Sequence, residues 1–99
     1  MKARRVSVHL DEQDVRRLER LRRRQNATTL SGVLNDVIAQ GPQIVPTDMG
    51  IAGGIDVSFS FTGESLERLA ELQDHLGANR SAVARGIIRQ AAAAVATGA

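Results

Sequence analysis

The chain has no cysteine, which rules out disulfides and thiolate metal sites, and its two histidines, His9 and His75, are too few for a histidine-rich site. Long apolar runs are missing as well: none approaches the roughly eighteen residues that a membrane span needs. The opening MKARRVSVHL runs straight into charged sequence and does not resemble a signal peptide. A soluble, cytoplasmic protein without membrane contact is expected. Catalytic signatures are lacking too, since no nucleophile stands with a base and no zinc spacing or phosphate loop occurs. The acids have ordinary roles: Asp11 and Asp14 begin a helix, Glu67 and Glu71 share a helical face, and His75 has no second histidine in reach. The expectation is a protein that is not an enzyme and uses no cofactor and no metal.

What is present is unevenly spread. Ninety-nine residues suffice for one small domain with a single modest core, and a forty-residue half would not stand alone. Residues 1–40 carry nine Lys or Arg against five acids, a net of +4, whereas residues 41–99 carry four against six, a net of −2. The basic first part suggests a polyanion partner. For the arginines of the first helix the alternative is an ordinary solvated helix surface.

Two stretches alternate with a period of two. RRVSVHL, Arg4 to Leu10, sets Val6, Val8 and Leu10 on one face of a strand and Arg5, Ser7 and His9 on the other. IDVSFSF, Ile55 to Phe61, does the same with Val57, Phe59 and Phe61 against Asp56, Ser58 and Ser60. Neither strand can bury its apolar face alone, so the two are expected to pair. Centred on Ser7 opposite Ser58, an antiparallel register places Arg5 beside Ser60 and His9 beside Asp56. A cross-strand His9 to Asp56 pair would raise the His9 pKa; the alternative for both residues is solvated strand surface.

Helical patterns follow each strand. Asp11 stands at an N-cap, with Asp14 completing an acidic capping box, and Val15, Leu18 and Leu21 form a narrow stripe. The RRR at Arg22 to Arg24 suits the negative end of the helix dipole. QNATT breaks the pattern, and Thr29 caps a second helix with a wide face of Leu30, Val33, Leu34, Val37 and Ile38, which Gly41 and Pro42 should stop near Gln40. GPQIVPTDMGIAGG, residues 41–54, has no periodicity and reads as a linker spanning up to roughly 45 Å. Its GIAGG leads into a strand and does not open a helix, unlike a nucleotide-binding loop.

The second part repeats the first. A shift of 51 aligns the strands and matches Val15, Leu18 and Leu21 with Leu66, Leu69 and Leu72. A shift of 50 then matches Thr29 with Asn79, Ser31 with Ser81, Val33 with Val83, Val37 with Ile87 and Ile38 with Ile88. Thr62 caps the third helix with Ser65 at its third position, and AAAAVATGA should extend the fourth to about Ala96.

RRVSVHLDEQDVRRLERL followed by TLSGVLNDVI resembles the ribbon-helix-helix family of DNA-binding proteins, and DVSFSFTGESLERLAELQDHLGANRSAVARGII resembles the same unit again. In that family two copies intertwine, and their strands form an antiparallel ribbon that enters the DNA major groove. Two copies in one chain are similar to the fused arrangement of TraY-type proteins of plasmid transfer. The resemblance implies a mostly α fold with a two-stranded antiparallel β-ribbon, a tandem ribbon-helix-helix forming a single-chain pseudo-dimer. Its units would be a first repeat at residues 1–40, a linker at 41–54 and a second repeat at 55–96, in one intertwined domain.

It also implies site residues. Arg5, Ser7, His9, Asp56, Ser58 and Ser60 would face base edges. Arg4, Thr29, Leu30 and Ser31, with Asn79, Arg80 and Ser81, would contact phosphates, because the free N–H groups at the start of a helix attract anions. Asp56 departs from Arg5 at the matching position, so the two strands would read different bases and the site would be non-palindromic. The implied partner is double-stranded DNA, with self-association on adjacent sites and exchange of halves both open to the chain. The implied function is that of a repressor or an accessory factor in plasmid transfer or a mobile element. The alternative is an antitoxin that binds a protein toxin, for which the alanine-rich tail after Ile88 is short and featureless.

Overall fold

In the computed structural model, which describes residues 3–40 and 45–96, β1 (Arg4–Leu10) and β2 (Ile55–Phe61) pair antiparallel. Arg5 lies opposite Ser60, Ser7 opposite Ser58 and His9 opposite Asp56, the register expected from the centred alternation. Val8, Leu10, Phe59 and Phe61 are buried, Val6 and Val57 half-buried, and the intervening side chains turn to solvent. The rings of Phe59 and Phe61 stand 5.9 Å apart at a 51° tilt, on the same face of one strand.

Four helices cover the apolar face of this ribbon: α1 (Glu12–Arg24), α2 (Leu30–Gln40), α3 (Gly63–Leu76) and α4 (Arg80–Ala96). Each begins at the cap that its sequence supplies. Asp11 accepts the Asp14 N–H at 2.7 Å, Thr29 that of Gly32 at 3.0 Å, Thr62 that of Ser65 at 3.1 Å and Asn79 that of Ala82 at 2.8 Å. Turns after α1 and α3 use left-handed backbone at Asn26 (φ 55°) and Gly77 (φ 64°). The helix stop expected at Gly41 and Pro42, the first four linker residues and the tail beyond Ala96 lie outside the described residues.

Leu18, Leu21, Val33, Leu34 and Ile38 from α1 and α2 meet Leu69, Leu72, Val83, Ile87 and Ile88 from α3 and α4 in one cluster with the ribbon. Fully burying one such side chain contributes about 1.5–3 kcal/mol. The ribbon therefore belongs to a single core, and the architecture is mostly helical with a two-stranded sheet. No helix of the described residues is long and apolar enough to cross a membrane.

The two outer edges of the ribbon are closed by hydrogen bonds that cross between the two parts of the chain. The backbone N–H of His9, on β1, donates to Ser81 Oγ of α4 at 2.9 Å, and Arg85 Nη1 donates to the His9 carbonyl at 2.6 Å. On the other edge the Ser60 N–H donates to Ser31 Oγ of α2 at 2.9 Å, and Asn35 Nδ2 donates to the Ser60 carbonyl at 2.9 Å. Ser31 and Ser81, like Asn35 and Arg85, are 50 residues apart, the offset of the internal repeat. Both edges of a two-stranded ribbon would otherwise present open backbone to another chain.

One departure from the sequence expectation concerns Asp14. Its N–H does meet Asp11, but its fully buried carboxylate takes Arg17 Nη1 at 2.9 Å and the fork of Arg89, Nε at 3.0 Å and Nη2 at 2.9 Å. A shorter Asp in place of Glu directs the charge into an inter-helix ion pair, so the capping box acts in one direction only.

Residues 45–54 form no helix or strand, yet they are fixed in place, and we call them the strap. Val45 is buried in the core. Asp48 sits in the fork of Arg85, Nη2 to Oδ1 2.7 Å and Nε to Oδ2 3.0 Å, and also takes Arg89 Nη1 at 2.7 Å. Arg85 is only 2% exposed, so its charge depends on this carboxylate. The Arg85 hydrogen bond is the main reason that the Asp48 carboxyl is held far below its ordinary range. Gly86 allows the close approach of strap to α4: a Cβ there would lie 2.1 Å from the Pro46 carbonyl oxygen.

Candidate nucleic-acid interface

The outer face of the ribbon presents Arg5, Ser7 and His9 from β1 and Asp56, Ser58 and Ser60 from β2, because a strand's side chains alternate and the opposite set is held in the core. The hydroxyls of Ser7 and Ser58 meet at 3.2 Å in the centre. To one side, Arg5 stands across from Ser60 and is exposed, as is Arg4 beside it. Among the described residues neither arginine is held by a hydrogen bond or an ion pair.

The other side is closed by charge. His9 Nδ1 lies 2.9 Å from Asp56 Oδ1, and His9 Nε2 lies 2.5 Å from the carbonyl oxygen of Gly53 in the strap. Both partners are acceptors, so satisfying both requires the doubly protonated imidazolium. The Asp56 hydrogen bond and then the Gly53 carbonyl raise the His9 pKa above 6.5, against a smaller lowering by burial and by the charge of Arg85. The exposed Asp56 carboxylate is thereby engaged by the His9 ring and does not stand alone on the ribbon. The two ends of the polar face thus differ in kind: a free guanidinium at one, a hydrogen-bonded His9–Asp56 pair at the other.

The starts of α2 and α4 flank this face. Thr29 and Asn79 act as N-caps, while Ser31 and Ser81 hold the ribbon edges as described, so four of the residues expected to touch phosphate also have structural roles. Leu30 is half-buried against the core, and Arg80, its counterpart, is exposed with no partner among the described residues. On α1, Arg16, Arg17, Arg22 and Arg23 pair with Glu12, Asp14 and Glu19, which accounts for much of the basic charge of the first part within one helix. The Arg22 hydrogen bond lowers the Glu19 pKa.

Two groups of residues at this face were not apparent from the sequence. Arg85 and Asp48 lock the strap beside the ribbon, and Gly50 and Ile51 of that strap form a wall of an open groove shared with Ser7, His9, Arg80 and Ser81. The structure shows the covering instead: Ala82 to Ile88 are buried without interruption, whereas a helix packed on one side alone keeps a solvent-facing stripe. Among the described residues no group of three His, Cys, Asp or Glu is arranged to hold a metal ion.

Residues 4–40, which span β1, α1 and α2, match the family model described as "Ribbon-helix-helix protein, copG family". The likeness covers that first part of the chain, and members of the ribbon-helix-helix family are typically DNA-binding transcription regulators. No curated protein and no solved structure matches the chain.

Proposed function

We propose that the chain is a sequence-specific double-stranded DNA-binding protein that lays its ribbon in the major groove, as a single-chain pseudo-dimer of two ribbon-helix-helix repeats. On this reading residues 1–40 and 55–96 are the repeats, residues 41–54 join them, and all three make one intertwined domain. The observation that carries it is the polar outer face of the ribbon, with Arg5 free at one end and a helix N-terminus on each flank. A two-stranded ribbon fits the major groove, and a free arginine can bond guanine through two atoms.

Ser7, Ser58 and Ser60 are readers of either hydrogen-bonding sense. His9 presents a cation whose ring nitrogens are already occupied, and Asp56 serves first to hold it. Arg4, Arg80 and the N–H groups at Thr29 to Ser31 and Asn79 to Ser81 contact phosphates. Because Arg5 and the His9–Asp56 pair occupy matching ends, the preferred site is non-palindromic, and chains can associate on adjacent sites. The biological setting that fits is repression, or an accessory role in plasmid transfer or on another mobile element.

Selection from a randomised duplex library near physiological salt tests the proposal, because non-specific phosphate binding weakens there while specific contacts persist. An enriched asymmetric motif is expected. Arg5→Ala should relax one position of that motif and cost about 1–3 kcal/mol of binding. Absence of any enriched motif overturns the reading.

A further inference from the structure

The two flanks of the ribbon are built from repeated elements, yet they are not alike. At α2, a trough lined by Asn35, Asp36, Ala39, Thr62, Ser65 and Arg68 is open. At α4 the corresponding positions are Arg85, Gly86, Arg89, Asp11, Asp14 and Arg17, and the strap lies there. We infer that the strap is a second DNA-contacting element on the α4 flank alone, so that the footprint reaches further on one side of the ribbon than on the other. This rests on the DNA-binding reading above and assigns to it a contact outside the ribbon and the helix starts.

Anchoring comes first. The strap is fixed before its tip by Val45 and by Asp48 between two arginines, and after its tip by the Gly53 carbonyl on His9. Gly54, at φ +90°, seats its end so closely that a Cβ would lie 2.7 Å from the Leu10 carbonyl oxygen. What lies between is presented on a rigid base, and its ordering entropy is already lost in the fold.

The tip carries the right chemistry. Met49 is fully exposed, and Gly50 and Ile51 wall the groove that also holds Ser7 and His9 of the reading face and Arg80. No acid stands at residues 49–52, and the charge of Asp48 is taken up by Arg85 and Arg89. An apolar Ile51 in one groove with the free Arg80 guanidinium, and an exposed Met49 two residues before it, match the sugar-phosphate backbone, with deoxyribose carbons against the side chains and a phosphate at Arg80. A duplex seated on Ser7 and His9 with its backbone along the start of α4 must pass Gly50 and Ile51.

The absence of cysteine makes this directly measurable. Met49→Cys, Thr28→Cys on the α2 flank and Asp74→Cys near the end of α3 would each be labelled with an iron chelate that cleaves nearby DNA, in the full chain bound to its selected duplex. Cleavage from position 49 is expected at one end of the site only, opposite the end cut from position 28, with position 74 several-fold weaker. Met49→Ala with Ile51→Ser should weaken binding about three- to tenfold and shorten protection at that same end. Cleavage from position 49 no stronger than from position 74, or a double variant with unchanged affinity and footprint, overturns the inference while leaving the ribbon reading intact. A full chain that selects no duplex overturns both.

Discussion

His9 Nδ1 faces Asp56 Oδ1 across the ribbon at 2.9 Å, and the same ring turns its Nε2 to the Gly53 carbonyl, so one imidazolium ties β1, β2 and the strap together. A neutral ring can keep only one of the two bonds as a donor.

The His9 pKa lies above 6.5 in the folded chain, so its contribution to stability is fully present below 6.5 and is lost as pH rises through the folded value. NMR titration should give His9 a higher pKa than an exposed histidine, and Asp56→Asn should bring it down. Amide exchange around residues 53 and 54 should quicken, beyond the intrinsic pH dependence of exchange, as the ring loses its proton. Identical titrations with and without Asp56 would refute the pair.

Asp48→Ala leaves the buried Arg85 without its carboxylate and should destabilise the fold by about 2–4 kcal/mol. Combining it with Arg85→Met should recover part of that loss, because the stranded charge goes with the arginine. The Asp48 pKa is held below 3.8, so its contribution is fully present above 3.8 and lost as pH falls through the folded value; the variant should show a shallower loss of stability in acid. Urea unfolding at several pH values checks both effects.

Gly86→Ala places a methyl group where Pro46 and Val45 already sit, so either the strap or α4 must move. A loss of about 1–3 kcal/mol is expected in chemical denaturation. Gly77→Ala makes a useful contrast: nothing lies near its missing Cβ, and its cost should come from the left-handed backbone alone.

Ser31→Ala and Ser81→Ala each remove the hydroxyl that accepts a ribbon-edge N–H. Each should cost about 0.5–1.5 kcal/mol, with faster amide exchange at Ser60 in the first variant and at His9 in the second. Similar losses at both positions would reflect their matching places in the two parts of the chain.

Much of the fold was legible because it rests on short-range rules. Alternation in RRVSVHL and IDVSFSF specifies the two faces, and the repeat spacing together with Ser7 and Ser58 suggests the register. Asp11, Thr29, Thr62 and Asn79 announce their helices as side-chain oxygens placed just before apolar periods. The pairing of His9 with Asp56 followed from that register alone. Asp48 was not legible in the same way. Its partners lie 37 and 41 residues away, across a segment with no periodicity, and no local pattern brings them together. Arg85 and Arg89 look like ordinary surface charges at helical spacing until a second layer is known to cover α4. The polar ribbon face and the helix starts beside it were accordingly visible in the sequence, whereas the strap next to them depended on tertiary contacts.

The crossed hydrogen bonds at the ribbon edges have a consequence during synthesis. The His9 N–H is met by Ser81, which follows it by 72 residues, and the β1 ladder waits for residues 55–61. At a synthesis rate of about 5–20 residues per second, β1 has no edge partner for roughly 4–15 s after it is made. For the first part of that interval, roughly 2.5–10 s, Val8 and Leu10 also lack Phe59 and Phe61, which follow them by 51 residues, and α1 and α2 can form only a partial core. The first part of the nascent chain is thus the stretch most in need of protection from aggregation, until the last helix has left the ribosome.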